Sequence, residues 1–181
     1  MRITVLSLFA FAAISAQAGG KFSVTSAEIK AGSMIAMDQV FDGFGCTGKN
    51  VSPSLKFSNI PAGTKALAVT MYDPDAPTGS GWWHWMVYNI PADTTELAAG
   101  AGTEDGSKLP KGSVQVKTDF GKPGYGGPCP PPGAPHRYIF KVFAQKELLN
   151  LDAGASPAMV GFNLNANLGV AELKAKFGRK K

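Results

Sequence analysis

The sequence predicts an all-β core of sandwich type, and three observations carry that reading. Short runs of β-branched and aromatic residues recur along the chain. The stretches between them are loops rich in the chain's 22 glycines and 13 prolines. Only one segment reads as a helix. Strands of this composition need antiparallel neighbours and a second layer to cover their apolar face.

The first strand signal is "KFSVTSAE" (21 to 28), where Phe22 and Val24 alternate with polar neighbours. "ALAVTMY" (66 to 72) is a short, continuously apolar run. "WHWMVYNI" (83 to 90) and "HRYIFKVFA" (136 to 144) are aromatic and β-branched. In "ASPAMVGFNLNANLG", Ser156 is placed to cap and Pro157 to occupy the first helical position, predicting a helix of about three turns. After Gly169, Ala171, Leu173, Ala175 and Phe177 alternate with Glu172, Lys174 and Lys176, so period two predicts a last strand. The loop "GKPGYGGPCPPPGAP" (121 to 135) has the stiffness of an ordered segment.

Residues 1 to 18 read as a secretory signal peptide. Arg2 precedes an apolar run from Val5 to Ile14, too short to span a bilayer comfortably, and Ala16 and Ala18 mark a cleavage site. Residues 19 to 181 then form a single domain with a core of its own. Loss of Arg2 lowers the formal charge from +5 to +4, and the remaining excess is dispersed except at the terminal "GRKK", which reads as a solvated end. No basic cluster interleaved with aromatics marks a nucleic-acid surface. Two cysteines, Cys46 and Cys129, lie in the exported part, where a disulfide is the simplest reading and two free thiols or half a metal site are the alternatives.

The ionisable residues gather around two strands. If 136 to 144 is a strand, His136 and Tyr138 share a face and Arg137 points away. If 83 to 90 is a strand, His84 shares a face with Met86 and Tyr88, just beyond the acid-bearing "DPDAP" turn. Each of these residues also has a plain structural reading: a hydrogen-bonded histidine, a core tryptophan, a turn aspartate. The glycine-rich stretches fit no nucleotide-binding pattern, and no metal site or cofactor is indicated.

Taken together, "YDPDAPTGSGWWHWMVYNIPA" (72 to 92), "LPKG" (109 to 112), "GYGGPCPPPGAPHRYIFKVFA" (124 to 144) and "GKNVSPSLKFSNIPAGTKALAVT" (48 to 70) resemble the phosphatidylethanolamine-binding protein family, its bacterial members above all. The resemblance implies a β-sandwich with a large central antiparallel sheet, a smaller sheet and a few flanking helices. It also implies a small pocket for phosphate-like anions. Carried over position by position, the pocket would hold Asp73, Trp82, His84, Pro130, Pro131, His136 and Tyr138, with Gly127 and Cys129 lining the approach. A Cys46–Cys129 disulfide, a cis peptide at Ala76–Pro77 and a homodimer belong to the same set of expectations. The basic end in place of a C-terminal helix puts the eukaryotic kinase interface in doubt.

That pocket would surround a phosphoryl group with donors from two imidazoles and a phenol. Asp73 would hold a histidine in its cationic form or accept a hydrogen bond from a protonated phosphate. The function expected is an exported binding module for phosphate, a phosphomonoester or a phospholipid headgroup, with an unknown protein as a further partner. A protease- or kinase-inhibitor role is the alternative. An enzyme is not expected, because no nucleophile elbow, metalloprotease helix or activated nucleophile appears.

Overall fold

The computed structural model describes residues 20–180, so the expected signal peptide lies outside the described residues. In chain order the strands are β1 (Ser23–Thr25), β2 (Asp42–Gly43), β3 (Cys46–Thr47), β4 (Leu55–Ser58), β5 (Ala66–Asp73), β6 (Trp82–Pro91), β7 (Glu96–Leu97), β8 (Val114–Gln115), β9 (His136–Gln145) and β10 (Asn167–Phe177). One α-helix, α1 (Pro157–Asn163), lies between β9 and β10. The fold is mainly β, with a five-stranded antiparallel sheet ordered β10-β9-β5-β6-β8 and a three-stranded sheet ordered β1-β4-β7.

The core lies between these two sheets. Leu67, Val69 and Met71 of β5 and Tyr138, Phe140, Val142 and Ala144 of β9 meet Val24, Leu55, Phe57 and Leu97 of the smaller sheet. The opposite face of the central sheet, with Ala68, Met86 and Tyr88, packs against Val160 and Leu164 at α1. Burial on both faces is why β5 reads as one apolar run whereas β10 alternates. On β10, Ala171, Leu173, Ala175 and Phe177 are buried, while the intervening charged residues face solvent, as Glu172 and Lys174 show in pairing at 2.7 Å. Charges along this edge strand oppose pairing with another chain.

Two expectations need correction here. The α-helix is seven residues, about two turns rather than three, and it is accompanied only by a 3₁₀ turn at Met37–Gln39 among the described residues. Its capping is as read: Ser156 Oγ accepts from the Met159 amide at 3.2 Å. It ends early because the Asn167 side chain donates to the Leu164 carbonyl at 2.7 Å, turning the chain into β10. The Ala76–Pro77 bond is trans, as is every peptide bond among the described residues. The turn closes without a cis bond: Asp73 Oδ1 accepts from the Asp75 amide at 2.8 Å, and the Thr78 amide donates to the Ala76 carbonyl at 2.8 Å. That second bond spans Pro77 alone, and proline's fixed φ suits such a three-residue turn.

Candidate functional site

The ends of β5 and β9 build the floor of a cavity of about 220 Å³. Tyr72 pairs with Ile139, so Asp73 arrives beside the start of β9, and His136 and Tyr138 share the sandwich face by period two. His136 Nδ1 donates to Asp73 Oδ2 at 2.8 Å, in a pair that is largely buried. Arg137 points away, as expected, and its guanidinium and amide clasp the Asp75 carboxylate at 2.7 to 3.2 Å. The guanidinium's hydrogen bonds hold the Asp75 carboxyl down at about 2.

His84 reaches the same cavity by a route that period two does not predict. Met71 pairs with Trp85, but Tyr72 pairs with Trp83, so His84 is an extra residue opposite a single step on β5. This β-bulge turns His84 to the cavity side, with Trp85 in the sandwich core, instead of to the Met86 and Tyr88 face. The three tryptophans separate in the same way. Trp82 borders the cavity, Trp83 lies against Tyr72 on the outer face with ring centroids 4.5 Å apart, and only Trp85 is in the main core.

The imidazole of His84 is buried, with ring edges toward Tyr138 at 5.1 Å and Phe120 at 5.3 Å. Its Nδ1 lies 2.7 Å from the Gly126 carbonyl, whose chain answers by donating the Gly126 amide to the His84 carbonyl at 2.9 Å. Only glycine fits at 126, since a Cβ there would come within 2.4 Å of the Phe120 ring. Burial pushes the His84 imidazole down to about 4, against the opposing pull of the Gly126 carbonyl and the Asp73 charge. His84 is therefore neutral at physiological pH, so of its two ring nitrogens only one is a donor.

Tyr138 is fully buried, and its hydroxyl lies near the Asp73 carboxylate but makes no hydrogen bond of good geometry among the described residues. Burial, reinforced by the negative charge of Asp73, pushes its phenol well above the usual range, so it is a donor at any ordinary pH.

The far wall comes from the proline loop. Cys129, Pro130 and Pro131 line the cavity. Cys129 is bonded to Cys46, with the Cα atoms 6.0 Å apart. Gly127 is the one expected residue that lies behind the lining: its amide donates to Asn50 Oδ1 at 2.7 Å, and a Cβ would strike the Gln39 carbonyl at 2.1 Å.

Sequence reasoning missed the mouth. Phe44, 65% exposed, and Phe120 border the cavity with stacked rings 5.9 Å apart. Both sit in loops without periodicity, so no local signal marks them. It also missed Arg179, read as part of a solvated end. Its Nε donates to the Pro130 carbonyl at 2.6 Å and its guanidinium to the Gly45 carbonyl at 3.2 Å, so the C-terminus ties the proline wall to the loop before Cys46.

Comparison with known proteins agrees with this architecture. The UPF0098 protein YbcL of Escherichia coli strain K12 is 56% identical over 167 residues, covering 91% of each chain. YbhB of the same strain is 50% identical over 154 residues, 84% of this chain and 97% of that one. A crystal structure of E. coli YbcL, described as a new member of the mammalian PEBP family, superposes with a TM-score of 0.86 at 54% identity, covering 89% of this chain and all of that one. The model of the phosphatidylethanolamine-binding protein family matches residues 25–178, a span that holds every residue placed around the cavity. On that match, and on identity above one half across nine-tenths of both chains, the protein belongs to the phosphatidylethanolamine-binding protein family.

Proposed function

We propose that the protein is an exported binding module whose cavity takes a phosphate-like anion, either free or as a phosphomonoester or phospholipid headgroup, without turning it over. The buried Tyr138 hydroxyl, without a well-formed hydrogen bond among the described residues, carries this reading, since a buried donor is costly unless something accepts from it. His136, oriented by Asp73, offers a second donor on the same wall. The prolines of the far wall limit the entropy lost on binding. Export is supported by the disulfide, which persists in oxidising compartments. No helix among the described residues is long and apolar enough to cross a membrane. A protein partner and a homodimer fit the same reading as ways of using the cavity's exposed aromatic mouth.

Calorimetry with inorganic phosphate tests the proposal. Tyr138→Phe and His136→Ala should each weaken binding by about 1.5 to 3 kcal/mol, the loss expected of a hydrogen bond to a charged group. Unchanged affinity in both variants would remove the cavity from the function. Hydrolysis of a phosphomonoester by the wild type and not by His136→Ala would make the protein an enzyme instead.

A further inference from the structure

The hydrogen-bond polarity of the cavity restricts its ligand further than charge does, and this inference rests on the anion-binding reading above. A carbonyl oxygen has only lone pairs, so the 2.7 Å contact to Gly126 fixes the proton of His84 on Nδ1. The other nitrogen, Nε2, is then an acceptor on a ring that lines the cavity. Protonating it would place a charge inside a fully buried side chain. Tyr138, whose ring packs edge-to-face with that of His84, makes no hydrogen bond to the imidazole.

Asp73 is already an acceptor within the protein, which makes it the more occupied of the two acceptors on this wall. Its Oδ2 is engaged by His136 Nδ1 and its Oδ1 by the Asp75 amide, each at 2.8 Å. The titratable groups facing the cavity are thus Asp73 from β5, His84 from β6, and His136 and Tyr138 from β9. Phe44, Trp82 and Phe120 around the mouth are neutral. Any positive charge on His136 is opposed by its partner Asp73, which leaves no surplus to hold a dianion.

We infer that the cavity selects a phosphomonoester in its monoanionic form, whose P–OH donates to His84 Nε2 while its remaining oxygens accept from Tyr138 and His136. A phosphodiester or a sulfate ester of the same charge has no such hydrogen. Presented to His84, its oxygen meets a lone pair, and a buried acceptor is left unpaired on both sides. Discrimination by a missing donor is large compared with discrimination by size.

The test compares three ligands of like size on the disulfide-bonded protein at pH 5.5, where each carries about one negative charge because the second ionisation of a phosphomonoester lies near pH 6. Methyl phosphate should bind at least about tenfold more tightly than methyl sulfate or dimethyl phosphate, a step of roughly 1.4 kcal/mol. In His84→Asn, whose amide can still donate to the Gly126 carbonyl, that preference should collapse. Nitrogen-15 spectra of the free wild type should show the proton of His84 on Nδ1 and none on Nε2.

Equal affinity for the three ligands would overturn the inference while leaving the anion pocket in place. Binding of none of them would overturn the pocket and the inference with it. Glycerophosphoethanolamine, a diester with an ammonium group, separates the remaining source of a donor: affinity equal to that of methyl phosphate would overturn the inference in favour of a lipid diester headgroup. Glycerol 3-phosphate compared with dihexanoyl phosphatidic acid then distinguishes a soluble monoester from a lipid one, and tight binding of either supports the inference.

Discussion

A single imidazole decides much of the cavity's chemistry. His84 belongs to a strand, but its properties come from being wrapped by Phe120, Tyr138 and the Gly126 backbone. That enclosure also has a thermodynamic consequence. In the unfolded chain the imidazole titrates near 6.5, and in the folded protein at about 4. The folded state binds fewer protons in that window, so this contribution to stability is complete above pH 6.5 and declines as the pH falls. By pH 4 about 3 kcal/mol should be lost through this residue. Urea unfolding of the ligand-free protein between pH 7 and pH 4 should show the decline, and His84→Asn should flatten it. Asp75 loses its own contribution only below the ordinary carboxylate range, as the pH falls toward about 2, so the two effects separate on the pH axis.

At the scale of elements, the site is assembled by strand ends and by the pieces that hold them. The bulge in β6 lets one strand send Trp85 to the core and His84 to the cavity on the same side of the sheet. The C-terminal segment after β10 is equally specific. Arg179 donates to the Pro130 and Gly45 carbonyls, and its own carbonyl accepts from the Gly133 amide at 3.1 Å. Arg179→Ala should cost about 1 to 2 kcal/mol of stability, as expected for hydrogen bonds from a charged donor at a half-buried site. It should also weaken phosphate binding several-fold by freeing the Pro130 wall. Arg179→Lys keeps the charge but not the fork, so it should restore less than half of the lost affinity. Calorimetry on both variants checks this, and wild-type affinity in Arg179→Ala would return the residue to the solvated tail.

For the whole molecule, the Cys46–Cys129 bond joins segments 83 residues apart and closes the loop that contains β4 to β8. A closure of that length stabilises the chain by about 4 to 5 kcal/mol in the loop-entropy account. Reduction should therefore lower the unfolding free energy by that amount, measured by urea titration with and without reductant. Because Cys129 is itself part of the cavity wall, reduction should weaken anion binding as well.

Much of this was determined by the sequence alone. Alternation placed His136 and Tyr138 together, set Arg137 apart, and set β10 with its lysines outward, because period two is local and survives wherever a strand is regular. The cysteine pair in a chain read as exported pointed to the disulfide, and of the nine residues carried over from the family resemblance eight border one cavity. Only the tertiary structure decided the rest. Whether β6 bulges at His84 depends on its register with β5, the strand just before it, and β6's own pattern holds no trace of that register. The protonation of His84 depends on burial by Phe120 and by the loop at Gly126. The same loop-borne convergence brings Phe44 beside Phe120, and Arg179 beside Pro130. Each is a contact between distant segments, fixed by the packing of the folded chain and not by any local preference of the residues involved.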